Sequence, residues 1–116
     1  MSVADARWPG VVGGLFGAAG VGLSAYAAHA ATADAQRWLY TAAAMALVHG
    51  LMLVAYVPRG ARLGLLARLT VAGGVLLFSG TLVGAHLFGW PTRLAPSGGS
   101  LLILGWLLVA ADRARR

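Results

Sequence analysis

Charged and apolar positions are segregated along this chain in long blocks rather than residue by residue. Positions 8–33, 38–58, 69–92 and 94–111 carry no acid and no base, and together they hold 89 of the 116 residues. An α-helix needs about 20 residues to cross a hydrocarbon core of about 30 Å, and each block is close to or beyond that length. Lipid offers no partner to a free amide or carbonyl, so a spanning segment must satisfy its backbone internally, as a helix does. The short runs of alternating polarity that mark a membrane β-barrel are absent. The pattern predicts an all-α membrane protein, a four-transmembrane-helix bundle. It forms one domain over 1–116, with spans at about 8–28, 38–57, 66–89 and 95–112.

Punctuation between the blocks supports these spans. Trp8-Pro9 reads as an interfacial anchor and a helix start. Gly10, Gly13, Gly17, Gly20 and Ser24 share one helical face, where small residues let a neighbouring backbone approach. Ala25-Tyr26-Ala27 would also suit signal-peptide cleavage, but the reading adopted is a retained first span. Thr32 or Asp34 is placed to cap the second helix, and Trp38 and Tyr40 to anchor it. Pro58-Arg-Gly-Ala-Arg62 is a basic turn and Trp90-Pro-Thr-Arg93 a third loop. The fourth span opens on Pro96-Ser-Gly-Gly99, carries Gly105-Trp106, and runs into Asp112-Arg-Ala-Arg-Arg116.

Composition then narrows the class. The chain is 59% apolar and only 10% charged, against about 25% charged in a soluble domain. Its net charge is +6, from nine Arg and no Lys against three Asp and no Glu. Such a balance can signal nucleic acid binding, but here the arginines flank spans, so no nucleic-acid partner is expected. Four spans place both termini and the middle loop on one side, with Arg7, Arg59, Arg62, Arg68, Arg113, Arg115 and Arg116; Arg37 and Arg93 fall on the other. The positive-inside rule makes both termini cytoplasmic, and the expected location is a bacterial inner membrane. Without cysteine there is no disulfide, thiolate metal site or cysteine nucleophile.

Candidate chemistry is sparse. Asp5, Asp34 and Asp112 fall at or beyond helix ends, leaving no carboxylate pair for acid–base work. His49 is the titratable side chain nearest mid-membrane, about 17 Å below Trp38 at a helical rise of 1.5 Å. Its expected role is a hydrogen bond to a backbone carbonyl or to Ser79 or Thr81. The sharper alternatives are proton-linked transport, since His titrates near neutrality, and haem ligation. His29 and His86 belong near the outer face. Gly98-Gly99 at a helix start could bind a lipid phosphate beside Arg93, though tight packing is the expected use. Trp106 falls about 15 Å beyond Pro96, near the level of His49.

Several blocks together resemble a known family. They are Gly22-Leu-Ser-Ala-Tyr-Ala-Ala-His29, Thr41 to His49 with the following Gly-Leu-Met-Leu, Gly74-Val-Leu-Leu-Phe-Ser-Gly80, and Pro96-Ser-Gly-Gly99 with Gly105-Trp106. The chain is similar over roughly 13–113 to small four-span membrane proteins of unknown function, the family that includes human transmembrane protein 256. The resemblance implies a four-helix bundle and no established activity. It also exposes departures. Ala44-Met45 stands where the family often has Glu-Tyr, Val83 where it often has Tyr, and Ser24 and Ala27 where it has Gly. A site relying on that acid beside His49 would be weakened here.

The expectation is therefore a non-enzymatic binding or accessory subunit without a cofactor, associating with membrane lipid, a larger membrane partner or further copies of itself. Its candidate polar residues are His29, His49, His86 and Ser79; its candidate packing residues are Gly80, Pro96, Gly98, Gly99, Gly105 and Trp106.

Overall fold

A computed structural model describes residues 6–116; Asp5, expected at or beyond a helix end, lies outside them. Four helices follow one another: α1 Trp8–Ala27, α2 Ala33–Ala55, α3 Ala61–Phe88 and α4 Ala95–Arg113. Each is long and apolar enough to cross a membrane. The second and third helices begin about five residues before the spans expected from sequence, because a helix continues past the hydrocarbon edge into its polar first turns.

Local chemistry sets the ends. Thr32, in extended conformation, accepts the Ala35 N–H on its hydroxyl and caps α2, while Asp34 sits in the first turn, where the helix dipole favours an acid. α2 stops at Tyr56, which is extended, two residues before Pro58. α3 ends on Gly89, the one positive-φ residue among those described (φ 68°), and the Trp90 N–H reaches back to the Gly84 carbonyl. Pro9 and Pro96 lie in the first turns of α1 and α4, where a missing N–H leaves nothing unsatisfied.

The helices pack as two hairpins, α1 on α2 and α3 on α4, joined through α2 against α3. Glycine makes the first two seams close. A Cβ at Gly13 would stand 2.6 Å from the Gly50 carbonyl oxygen, and one at Gly50 would stand 2.7 Å from that of Gly13. In the second hairpin a Cβ at Gly98 would collide with the Phe78 backbone, and one at Gly74 would reach the Leu102 side chain at 2.8 Å. One apolar cluster draws on all four helices through Phe16, Ala46, Met52, Leu53, Val71, Val75 and Leu102. Large aliphatics such as Leu15, Leu51, Leu76, Ile103 and Leu107 point outward and stay more than 60% exposed. That apolar perimeter suits lipid and not water. The molecule measures 50 × 24 × 19 Å, so its long axis covers the hydrocarbon core and both headgroup layers, about 40–45 Å.

Candidate functional site

The residues singled out from sequence do not gather into one centre. The structure distributes them over three levels of the molecule.

At mid-depth, His49 of α2 is buried and meets Trp106 of α4. The His49 Nδ1 lies 2.7 Å from the Met45 carbonyl oxygen, and the Trp106 Nε1 lies 3.0 Å from His49 Nε2. A carbonyl can only accept and an indole N–H can only donate. These partners therefore define a neutral imidazole with its proton on Nδ1 and both nitrogens occupied. Of the expected partners a backbone carbonyl is present, that of Met45 in the same helix and not a neighbouring one, whereas Ser79 and Thr81 are engaged elsewhere. Ser79 donates to the Ala42 carbonyl at 2.8 Å, tying α3 to α2, and Thr81 donates back to Leu77 of its own helix. The residue at hand for His49 was thus the one the helical rise placed at its level, and not the hydroxyls.

A groove is the second feature. α1 and α3 flank α2 without meeting closely, and the gap between them is a cavity of about 640 Å³. Leu15, Phe16, Ala19, Gly22 and Leu23 form one wall; Leu76, Ser79, Gly80, Val83 and Gly84 form the other. Ala46 of α2 is its floor, and Phe88 and Trp90 close the end nearest the α3–α4 loop. The lining is almost wholly apolar, and its one hydroxyl, that of Ser79, is spent on Ala42. Gly22 and Gly80 owe their place here to absence: a Cβ on either would meet nothing within 4 Å. Gly84 differs, because the Trp90 ring lies directly on it and leaves no space for a side chain. Beyond the groove, the Tyr26 hydroxyl stands 3.3 Å from His86 Nε2, bridging α1 to α3. His29 is exposed. Pro96 and Gly98 belong to the start of α4, Gly98 against Phe78, while a Cβ at Gly99 would keep an ordinary 3.8 Å from the Phe78 ring. Gly105 admits the Val71 side chain, where a Cβ would stand 2.5 Å away.

The end of the molecule formed by the α2–α3 turn and the last turn of α4 holds the residue that sequence reasoning passed over. Asp112, set down as a helix-end acid, is fully buried in the last turn of α4. One carboxylate oxygen accepts from the Tyr56 hydroxyl at 2.6 Å and the Arg59 N–H at 2.8 Å; the other accepts from the Gly60 N–H at 2.7 Å. Gly60 caps α3 and has no side chain to offer, so the cap comes from a different helix, and its negative charge sits at the positive end of the α3 dipole. Around it the Arg59 Nη1 donates to the carbonyls of Arg113 (2.9 Å) and Arg115 (2.7 Å), Arg113 donates to the Val57 carbonyl at 3.3 Å, and Arg68 donates to the Tyr56 carbonyl at 3.0 Å. Arg68 is buried. The available signal was the triplet of a lone acid at the end of one apolar block, an N-terminal glycine without a capping side chain, and a Tyr just before the intervening turn.

Among the described residues no three His, Cys, Asp or Glu side chains gather where they could hold a metal ion.

Four apolar helices with an unclosed lateral groove define a small multi-pass membrane protein of the all-α class. Residues 23–99 match the family described as "Protein of unknown function (DUF423)", and the chain belongs to that family. The match covers the last turn of α1 from Leu23, all of α2 and α3, and the opening of α4 as far as Gly99. No solved structure matches.

Proposed function

We propose that this protein is a non-enzymatic binding or accessory protein of the bacterial inner membrane, with both termini in the cytoplasm, and that the groove between α1 and α3 holds a lipid hydrocarbon chain. The groove is the observation that carries this reading. Its volume lies in the range of small-molecule sites, about 300–1,000 Å³. Its walls offer dispersion contacts, and their one hydroxyl is spent on Ala42, so it suits an occupant that is itself hydrocarbon. It opens sideways between two lipid-facing helices, where acyl chains are the surrounding solvent. A larger membrane partner would cover the same face.

The carrier reading centred on His49 draws less support. Both ring nitrogens are bonded and His49 does not line the groove. A haem iron at His49 would have to displace Trp106 or the Met45 carbonyl.

The test is a pair of substitutions that fill the groove from opposite walls, Gly22→Leu with Gly80→Leu, at positions where a side chain meets no neighbour. Native mass spectrometry of the protein in mild detergent should show stoichiometric lipid on the wild type and loss of most of it from the variant. Equal retention by both, or a wild type carrying none, would sink the proposal.

A further inference from the structure

We infer that the end of the molecule formed by the α2–α3 turn and the last turn of α4 is a binding site for the phosphate of anionic phospholipids, built from Arg59, Arg62, Arg113, Arg115 and Arg116. This rests on the chain spanning a membrane and not on the groove, whose lining lies in the other half of the molecule.

Three observations converge. The first is a separation of charge. Those five arginines are exposed, while Asp112, among the described residues the acid at this end, is fully buried with its oxygens taken by Tyr56, Arg59 and Gly60. Among the described residues, the fold has withdrawn that acid and left these arginines at the surface. The second is that the array is assembled and not merely local in sequence. Arg59 comes from the α2–α3 turn, and Arg115 follows α4. The Arg59 guanidinium binds the Arg115 carbonyl, and the Arg115 guanidinium lies against Gly60, where a Cβ would stand 2.8 Å from its Nη1. Guanidinium groups gathered at one end of the molecule favour an anion there. The third is position. The array sits at the ends of three membrane-crossing helices, the level of the headgroups, so a lipid phosphate is the anion within reach. Guanidinium pairs with phosphate oxygens through two parallel N–H bonds, which lysine cannot do, and this chain uses arginine throughout.

The experiment mixes the purified full chain in mild detergent with equal amounts of phosphatidylglycerol and phosphatidylcholine and reads the bound ratio by native mass spectrometry. It is run in the Gly22→Leu/Gly80→Leu background as well, so that chain binding in the groove and headgroup binding are told apart. Phosphatidylglycerol should dominate in both backgrounds. Arg62→Gln with Arg115→Gln should lower its preference by about fivefold for each guanidinium removed. Neither side chain makes a hydrogen bond on which the fold depends, so the variant should keep its thermal stability. Arg116→Gln serves as a second variant. Arg37→Gln with Arg93→Gln, at the opposite end, should change nothing. Rising salt should erode the preference. Equal binding of the two lipids would overturn the inference. So would an equal effect of the two arginine pairs, or displacement of phosphatidylglycerol by millimolar inorganic phosphate, which would mark a site for the free ion.

Discussion

A single carboxylate organises more of this molecule than any histidine does. Asp112 joins the end of α4 to the turn before α3 and to Tyr56 at the end of α2. Replacing it with Asn keeps the shape but removes the charge and turns an NH₂ group toward one of three donors. Buried hydrogen bonds to a charged group are worth about 1.5–3 kcal/mol, and an unsatisfied buried donor costs a similar amount. Asp112→Asn should therefore lower the thermal midpoint in detergent by several degrees, whereas Asp34→Asn, in an exposed pair with Arg37, should leave it within about one degree. The contrast explains what was legible at this scale. His49 stood out because an imidazole inside an apolar block has no other company, and the helical rise alone put Trp106 at its depth. Asp112 did not, because an acid at the end of an apolar block looks like any residue meeting water. Its burial depends on where the α2–α3 turn folds, which no local pattern encodes.

At the scale of elements, the four helices were legible from the length of uncharged runs, because lipid admits few alternatives. Their seams were legible in kind but not in detail. Of the small face on α1, Gly13 and Gly20 pack against α2, while Gly10 and Gly17 have open space where a Cβ would stand. Composition alone could not choose among them, because glycine serves a tight seam and an open face equally well. Adjacent glycines in α4 make this testable. Gly98→Ala drives a methyl into the Phe78 backbone, so α3 and α4 must separate, and the loss should exceed about 2 kcal/mol. Gly99→Ala finds 3.8 Å to the Phe78 ring and should be neutral or slightly stabilising, since alanine is the better helix former. Steric-trap or thermal unfolding of the two variants reads the difference directly. Similar losses from both would mean that the seam is not as close as described.

For the molecule as a whole, the asymmetry of charge between its two ends predicts its orientation. Seven arginines belong to the end carrying the N-terminus, the α2–α3 turn and the C-terminus, and two to the other. The absence of cysteine makes the check clean. Single cysteines at Thr92 and Ala114 should behave oppositely toward a membrane-impermeant maleimide. Thr92→Cys should react in spheroplasts, and Ala114→Cys only after permeabilisation. The reverse pattern would invert the topology. What pattern reasoning could not supply at this scale is the groove. It arises from an omission, α1 and α3 flanking α2 without closing on each other, and no residue type signals a contact that is not made.

The cap supplied by Asp112 also bears on how the chain is made. The turn before the third helix is synthesised some fifty residues before the acid that satisfies it, since the bonded amides are those of Arg59 and Gly60. Until the fourth helix arrives, those amides and the Tyr56 hydroxyl depend on water at the membrane edge. Completion of the last helix thus closes a bond set opened much earlier by the ribosome. A nascent chain arrested short of position 112 would expose an unfinished turn to membrane quality control.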